Sequence, residues 1–319
     1  MRRLILASLQ LLLLNICLGV EPLHTIVPKW PQLPHDHFLG LCSGVGVDAQ
    51  NRVFIFHRSG RQWTNPFPKE PISRPTVSVI NGNSGELLTT WGADFFIMPH
   101  GLSVDSEGNL WLTDVGLHQV FKFTWDGHLL FSLGEAGVPG NDETHFALPT
   151  DVAIQHDGAI CVSDGYKNTR IVKFDAAGKY VTSWGKRGAS AGDFDLPHSI
   201  ACDSKDRLYV CDRSNSRIQI FDPDGHFLAQ WKGPQIGRPY GIGVSPTGTV
   251  LVVDGGSSNG TPPERGKGIE LYPDGNVADT FVLPDDTLGN LITGHDIAVG
   301  PDESAYIVGG FGVRKFVKR

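Results

Sequence analysis

The sequence predicts an all-β protein, a six-bladed β-propeller. Three observations support this prediction. A unit of about 50 residues recurs along the chain, each clear copy contains four short apolar runs, and turn-forming residues are abundant, with 39 glycines and 21 prolines among 319 residues. Four short antiparallel strands per repeat make the blade of a propeller, and this composition disfavours a helical fold.

The repeat is clearest in three consecutive copies that begin at residues 99, 149 and 197. Each copy opens with an alternating run and continues through a second strand such as "LWLTD" and a third strand such as "QVFKF". A further turn, of Asp-Gly type at Asp126-Gly127 and Asp224-Gly225, leads to the fourth strand. These turns predict hairpins, so neighbouring strands are expected to pair within each copy.

Three weaker copies, near residues 42, 239 and 294, bring the number of blades to six. The equivalent second positions of the six copies are Ser43, His100, Thr150, His198, Tyr240 and His295. The last copy shows only three strands before the chain ends. We therefore expect an N-terminal strand within residues 23–30 to complete that blade and close the ring, which leaves only short sheet edges exposed.

Residues 1–20 have the pattern of a signal peptide: two arginines, an apolar run over residues 4–14, and small or neutral residues before Glu21. The apolar run is too short for a membrane anchor, so the pattern predicts a secreted protein or one in the lumen of the secretory pathway. The net charge of -7 disfavours nucleic acid or an anionic membrane as a partner. The predicted organisation is a signal peptide (1–20), an N-terminal arm with the ring-closing strand (21–40) and the propeller (41–319).

Export permits disulfides, and four cysteines follow the signal peptide: Cys42, Cys161, Cys202 and Cys211. They allow three pairings. Cys202 and Cys211 flank one predicted hairpin and form the first pair to test, and four free thiols are the alternative. A loop over residues 255–266, rich in Gly, Ser and Pro, carries a glycosylation sequon at Asn259.

Histidine occupies the second repeat position in alternate blades, as His100, His198 and His295. The first strand of a blade lies nearest the propeller axis, and alternate blades are related by about 120 degrees. Three imidazoles that meet on the axis leave a fourth tetrahedral position open, which is the arrangement of a catalytic zinc site. One such histidine would indicate only a hydrogen-bonded channel residue, but three at repeat-locked positions predict a metal site.

Asp296 follows the third histidine directly. Two interpretations remain open for its carboxylate. It either orients a metal ligand or caps a turn, or it is a hard oxygen ligand for calcium together with nearby backbone carbonyls.

Three further candidates follow second strands: Arg58 in blade one, Tyr166 in blade three and Arg213 in blade four. Arginine suits bidentate binding of a carboxylate, and a tyrosine near two cations and a metal is expected to have a lowered pKa and to act as a base. The alternatives are exposed loop arginines and a packing tyrosine. We interpret the adjacent His57 as structural and Arg61 as a solvated loop charge.

Over residues 40–316 the chain resembles the peptidyl-α-hydroxyglycine α-amidating lyases, six-bladed propellers of NHL-type repeats that form the lyase part of the peptide C-terminal amidating system. The resemblance rests on "FHR" at 56, "PHGLSVDSEGNLWLTDVGLHQVFKF" at 99, "PTDVAIQHDGAICVSDGYKNTRIVKF" at 149, "LPHSIA" at 196 and "GHDIA" at 294. It implies cleavage of a peptidyl-α-hydroxyglycine to a peptide amide and glyoxylate, with the substrate supplied by a separate copper monooxygenase. No redox cofactor is implied, and a monomer is expected.

The resemblance also implies the roles of the candidate residues. Zinc would be held by the three axial histidines, and a structural calcium by Asp296 with the backbone carbonyls of Val45 and Leu102. Tyr166 would be the general base. Arg58 and Arg213 would bind the charge of the substrate.

The chain departs from the family pattern near these residues. The family's Met-Pro pair before the last histidine is Thr293-Gly294 here. Family cysteines beside the tyrosine and on the facing loop correspond to Lys167 and Ala147, and a second family disulfide corresponds to Tyr209 and Ile220. The loop that carries the tyrosine is therefore expected to lack its covalent staple.

Two other functions are weighed against the lyase. One is a non-catalytic NHL-repeat propeller that displays its loops to a protein partner. The other is a calcium-dependent hydrolase or lactonase of propeller type, which needs an axis rich in Asp, Asn and Glu rather than imidazoles.

Overall fold

The computed structural model describes residues 22–245, 247–256, 266–284, 293–310 and 312–319. The regular structure of these residues consists of 24 strands and one 3-10 turn, Arg213–Asn215. The strands form six four-stranded sheets, which confirms the predicted six-bladed β-propeller. The predicted signal peptide (1–20) and the predicted glycosylation site Asn259 lie outside the described residues. In the described part of the chain, no helix has the length and hydropathy needed to cross a membrane.

In each of the first five blades, four strands that are consecutive in the chain pair in an antiparallel order. Blade one contains β2 (Cys42–Val47), β3 (Arg52–His57), β4 (Val77–Asn81) and β5 (Leu87–Trp91). Blade two contains β6 (Pro99–Val104), β7 (Leu110–Asp114), β8 (Gln119–Phe123) and β9 (Leu129–Leu133). Blade three contains β10 (Asp151–Ile154), β11 (Ile160–Asp164), β12 (Arg170–Phe174) and β13 (Tyr180–Trp184).

Blade four contains β14 (Pro197–Cys202), β15 (Leu208–Asp212), β16 (Arg217–Phe221) and β17 (Phe227–Lys232). Blade five contains β18 (Pro239–Val244), β19 (Val250–Asp254), β20 (Lys267–Leu271) and β21 (Val277–Val282). Blade six contains β22 (Gly294–Val299), β23 (Ala305–Gly309), β24 (Gly312–Lys318) and the N-terminal β1 (His24–Ile26).

The N-terminal strand closes the ring, as predicted. β1 pairs antiparallel with β24, with Thr25 opposite Val317. The strand is shorter than the predicted segment, and Trp30 packs into the core between blades six and one instead. His24 extends the closure to blade five, because its backbone N–H donates to Asp279 Oδ2 at 3.0 Å and its Nδ1 lies 2.8 Å from the same oxygen.

The hydrophobic core is divided among the six interfaces between adjacent blades. At the interface of blades one and two, for example, Phe54 and Phe56 pack with Leu112 and Phe121. The second strands β7, β11 and β15 are buried along their whole length. Both faces of each blade are thus covered by its neighbours, and each fully buried Leu or Phe contributes about 1.5–3 kcal/mol.

A β-bulge marks the second repeat position in five of the six innermost strands. In blade four, for example, Pro197 pairs with Asp212 and Ser199 with Cys211, so His198 is left without a partner across the ladder. A bulge redirects the side chain at the extra residue. The repeat therefore places one side chain per bulged blade at the mouth of the central channel.

Of the two alternatives for the cysteines, the structure supports free thiols and not a disulfide between Cys202 and Cys211. All four cysteines in the described part of the chain are free thiols. Cys211 lies opposite Ser199 and Cys202 opposite Leu208, and their side chains pack into different blade interfaces on opposite faces of the hairpin. Side chains on opposite faces of a sheet cannot be joined by a disulfide.

Candidate functional site

The three predicted histidines meet on the propeller axis. The ring centroids of His100, His198 and His295 lie 4.9 Å apart in each of the three pairs. One ring nitrogen from each lies within 4.8 Å of the others. Alternate blades thus bring three ligand atoms together, as the repeat position predicted.

A backbone carbonyl of the next blade fixes the orientation of each imidazole. The three bonds are His100 Nδ1 to Thr150 O at 2.6 Å, His198 Nδ1 to Tyr240 O at 2.7 Å and His295 Nδ1 to Ser43 O at 2.7 Å. Because a carbonyl only accepts hydrogen bonds, each Nδ1 must carry the hydrogen and each Nε2 must present its lone pair. All three acceptors occupy the same repeat position as the histidines, in blades three, five and one.

The three imidazoles are neutral at physiological pH. Burial lowers the pKa of His295 to about 3, with Arg58 adding to the effect, and lowers the pKa of His100 and His198 well below the usual value. Metal ions bind neutral imidazole, and a hydrogen bond from the other ring nitrogen to a carbonyl holds the ligand in place. Three such donors fit a zinc ion with an open position.

Tyr166 lies against this cluster. Its hydroxyl oxygen is 2.9 Å from His100 Nε2 and 3.1 Å from His198 Nε2. Both nitrogens present lone pairs and the phenol has one hydrogen, so the hydroxyl donates to one of the two nitrogens at a time. The phenol ring contacts the rings of His100 and Trp63 at centroid distances of 5.1 and 5.2 Å.

Two guanidinium groups flank the tyrosine. Arg58 is buried, and its Nε donates to the Pro99 carbonyl at 3.1 Å. The Arg213 guanidinium carbon lies 5.6 Å from the Tyr166 ring centre and 4.5 Å from that of Tyr240. Arg213 Nε is buried and has no hydrogen-bond partner within the part of the chain that the structure describes. An unsatisfied buried N–H on a cation is costly, so this nitrogen is suited to an anionic ligand.

The two arginines alone do not lower the pKa of Tyr166, and the predicted lowering by two cations together with a metal stays a prediction. Burial raises the pKa of the phenol above its usual value of 10, although Arg213 and Arg58 act in the opposite direction. Desolvation of the phenolate therefore outweighs the attraction of the two arginines.

Hydrogen bonds hold the Tyr166 loop where the family has a disulfide. The Asp164 carboxylate accepts from the Ala147 N–H at 2.9 Å and from Asn168 Nδ2 at 2.6 Å. Asn168 Nδ2 also lies 2.8 Å from the Gly140 carbonyl. Two loops that face one another are thereby joined at one buried carboxylate.

The other departure from the family pattern is Thr293-Gly294, before the last axial histidine. Gly294 is required by packing, because a Cβ there would clash with a Val253 side-chain methyl group.

A second group of oxygen atoms lies in the channel near the histidines. Asp296 Oδ2 accepts from the Val45 N–H at 3.0 Å. Burial raises the pKa of Asp296 well above its usual value, and Asp151 on the opposite blade adds to this effect. Burial raises the pKa of Asp151 itself to about 7. Val45 and Leu102 line the same channel, of about 170 Å³, as both carboxylates.

Two facing buried carboxylates form an oxygen donor set that fits a hard cation such as calcium. Asp151 was not predicted from the sequence. A signal was present, because Asp151 and Asp296 both follow the second repeat position, where blades one, two and five have glycine. The glycines leave room for the carboxylates: a Cβ at Gly101 would lie 2.6 Å from Asp151 Oδ1.

The structure agrees with the sequence interpretation of His57 but not with that of Arg61. His57 is structural, as interpreted: it is buried, and its Nε2 lies 3.0 Å from Ser78 Oγ. The interpretation of Arg61 as a solvated charge is wrong. Its Nη1 donates to the Glu70 carbonyl at 2.7 Å and to the Ile97 carbonyl at 3.0 Å, so it fixes the loop after β3 to the loop before blade two.

The fold and the site define a class of protein. The NHL repeat family model matches residues 96–123 and 194–221, which cover parts of blades two and four. The protein is thus an NHL-repeat propeller with a three-histidine cluster on its axis.

Comparison with curated proteins is more specific. The chain is 38% identical over 289 residues to the peptidylglycine alpha-amidating monooxygenase of Rattus norvegicus, covering 84% of the chain and 29% of that relative. It is 32% identical over 256 residues to the peptidyl-alpha-hydroxyglycine alpha-amidating lyase 2 of Drosophila melanogaster, covering 74% of the chain and 62% of that relative. The chain is a homologue of the amidating lyases, which confirms the resemblance in its sequence. It spans about three tenths of the length of the rat relative.

Among solved structures, a streptogramin B lyase matches with a TM-score of 0.58 over 87% of this chain and 93% of that chain. The two sequences are 14% identical, so the match shows the shared fold alone.

Proposed function

We propose that this protein is a zinc-dependent lyase that cleaves a peptidyl-α-hydroxyglycine to a C-terminally amidated peptide and glyoxylate. One observation carries the proposal. Three imidazoles converge on the axis, and the Nε2 atoms of two of them, His100 and His198, contact the hydroxyl of a tyrosine that lies near two arginines. The names of the lyase homologues support the same reaction.

The arginines bind the carboxylate of the hydroxyglycine. Among the described residues, Arg213 has a buried Nε without a hydrogen-bond partner, and Arg58 donates from its Nε to the Pro99 carbonyl. A carboxylate held there places the neighbouring hydroxyl and C–N bond beside Tyr166 and the histidines. Fixing the reacting groups in this way removes much of the entropic part of the barrier.

Tyr166 is placed to move the proton. Zinc, when held by His100, His198 and His295, supplies Lewis-acid polarisation that lowers the pKa of the substrate hydroxyl. A dication held beside Tyr166 would oppose the burial that raises the pKa of the phenol, and the resulting phenolate would take the hydroxyl proton as the C–O bond becomes the aldehyde of glyoxylate and the C–N bond breaks. The same proton passes to the departing amide nitrogen, so no redox partner is consumed and the atoms balance.

We further propose that calcium binds below the histidines and is structural. Its ligands would be Asp296 and the backbone carbonyls of Val45 and Leu102, with Asp151 as an additional oxygen donor. The two facing carboxylates support this site, because a bound cation removes their repulsion.

The cellular setting belongs to the proposal as well. Homologues named monooxygenase and homologues named lyase match this propeller, which links it to the amidating system. We propose that a separate copper monooxygenase supplies the hydroxylated peptide, and that the protein acts as a monomer in the secretory lumen or outside the cell.

Glyoxylate release from a hydroxyglycine peptide, with and without a chelator, tests the proposal. We expect release that is lost with the chelator and restored by zinc. Zinc binding without glyoxylate release would instead favour a non-catalytic propeller that binds a protein partner, and restoration by calcium alone would favour a calcium-dependent hydrolase.

Two variants sharpen this test. Arg58→Gln should lower kcat/KM by about 100-fold or more without unfolding the protein, because a buried charge-assisted carboxylate contact is lost. The matched control is Arg187→Gln, at an exposed arginine paired with Asp195. His198→Ala should lose bound zinc by elemental analysis.

A further inference from the structure

A groove opens beside the candidate catalytic tyrosine. It is lined by residues 63–69 of the loop after β3, residues 116–118 of blade two, and Ala136, Gly137, Pro139, Ile97, Leu148 and Lys167. Its volume of about 680 Å³ lies within the range typical of pockets that bury small ligands. We refer to it as the loop groove.

The inner end of the loop groove is aromatic and adjoins the catalytic groups. The Trp63 ring lies 5.2 Å from the Tyr166 ring and 4.9 Å from the Phe67 ring. The Arg58 guanidinium carbon lies 5.1 Å from the Trp63 ring centre. Trp63 is nevertheless 43% exposed, so it presents an apolar face to solvent directly beside the reacting groups. Leu117 continues this apolar wall along the groove.

The charge of the loop groove is opposite to that of the protein. Among the described residues that line it, the titratable side chains are Lys69, His118 and Lys167, and none of these lining residues has a carboxylate. Burial and the nearby Lys167 lower the pKa of His118, so the two exposed lysines supply the positive charge. The chain as a whole has 34 acidic and 27 basic residues. A groove without acidic groups in such a chain favours an acidic ligand.

We propose that the loop groove binds the peptide that precedes the hydroxyglycine. It selects a large apolar or aromatic side chain immediately before the hydroxyglycine, which packs on Trp63 and Phe67. It also favours an acidic side chain farther toward the N-terminus, which faces Lys69 and Lys167. The position of the groove next to Arg58 supports this occupant. An extended chain spans about 3.3–3.6 Å per residue, so a peptide whose hydroxyglycine carboxylate reaches Arg58 has its preceding residue beside Trp63.

This inference rests on the proposed lyase activity, so the substrates are chosen to separate the two. N-acetyl-α-hydroxyglycine has no side chain for the groove and tests the reaction alone. Four N-acetylated tripeptidyl-hydroxyglycines carry Phe or Ser immediately before the hydroxyglycine and Asp or Lys two residues earlier. We expect kcat/KM to be about tenfold higher for Phe than for Ser, mainly through KM, because an aromatic ring is buried on another.

Two variants with matched controls assign the preference to the groove. Trp63→Ala should remove most of the preference for Phe, whereas Trp125→Ala, at a partly exposed tryptophan on the β8–β9 turn, should retain it. Lys69→Glu should reverse a preference of about threefold for Asp over Lys. Lys205→Glu makes the same charge change on the β14–β15 turn, at the far end of β14 from His198, and should leave the preference unchanged.

The experiments distinguish failure of the lyase proposal from failure of the groove proposal. If N-acetyl-α-hydroxyglycine is not cleaved, the lyase proposal fails, and the groove is tested by fluorescence anisotropy with a labelled N-acetyl-Asp-Ala-Phe amide, which needs no turnover. Weaker binding of this amide to Trp63→Ala than to wild type would support the groove. Equal kcat/KM for all four tripeptides, or equal binding by both proteins, would overturn it.

Discussion

Replacement of Tyr166 by phenylalanine separates the chemical role of this residue from its structural role. The substitution removes one hydroxyl group and keeps the ring. The hydroxyl makes contacts of 2.9 and 3.1 Å with the Nε2 atoms of His100 and His198. The ring contacts to Trp63, the two histidines and the Arg213 guanidinium do not involve the hydroxyl.

The two roles predict effects of different size. Loss of a buried hydroxyl with its hydrogen bond should change the free energy of unfolding by about 1 kcal/mol. Loss of the group that transfers the proton should lower kcat by about 100-fold to 10,000-fold, equivalent to about 2.7–5.4 kcal/mol in the barrier. Zinc content should stay at the wild-type level, because the three imidazole ligands remain.

The assay is steady-state glyoxylate release at saturating substrate, with urea unfolding and elemental analysis on the same preparations. Tyr180→Phe is the matched control. Tyr180 lies in the same blade, and its hydroxyl is 3.2 Å from Ser183 Oγ, away from the axis. A kcat within a few-fold of wild type for Tyr166→Phe would refute the assignment of Tyr166 as the base.

Three further predictions concern calcium, ring closure and pH. Asp296→Asn should abolish the rise in Tm that calcium gives the wild type, a gain of about 2.7 kcal/mol at a calcium concentration of 100 times Kd. His24→Ala should lower the free energy of unfolding by about 2 kcal/mol, because its contact with Asp279 and its stacking on Phe281 are lost. His57 has a pKa of about 3 in the fold against 6.5 unfolded, so the unfolded chain binds more protons between these values and acid destabilises the fold. Urea unfolding at pH 7 and pH 5 should show about 2 kcal/mol of this loss in the wild type that is absent in His57→Gln.

Each of these predictions has a control. Magnesium in place of calcium should give the wild type a smaller gain in Tm, and an equal gain in Asp296→Asn would rule out that ligand. His128→Ala, at an exposed histidine on the β8–β9 turn, should leave the free energy of unfolding unchanged. An equal change between pH 7 and pH 5 in wild type and His57→Gln would exclude the burial effect.

The axial part of the site was predictable because the repeat fixes both the radius and the direction of a side chain. His100, His198 and His295 share one repeat index, and a bulge at that index turns each ring toward the axis. The same comparison of repeat positions would have identified Asp151, because Asp151 and Asp296 both directly follow the second repeat position. Periodicity therefore carries the geometry of the channel.

The loops were less predictable because their contacts join segments without a repeat relation. Arg61 is fixed by the carbonyls of Glu70 and Ile97, and the sequence pattern indicates neither. The pKa of Tyr166 depends on how deeply the phenol is buried as well as on the two arginines, and the sequence does not give that depth. A disulfide between Cys202 and Cys211 is excluded because their side chains point to opposite faces of the hairpin. The sequence shows that two cysteines lie near one another along a hairpin but not that their thiols share a face.

The hydrogen bonds between the histidine cluster and the neighbouring blades have a consequence for biosynthesis. Three blades supply imidazoles and the other three supply the carbonyls that orient them, so every blade contributes to one centre. The last imidazole belongs to the last blade, which also needs a strand from the opposite end of the chain. A growing chain therefore cannot assemble this centre until nearly all of it has been synthesised, and capture of a metal would report that the ring is complete.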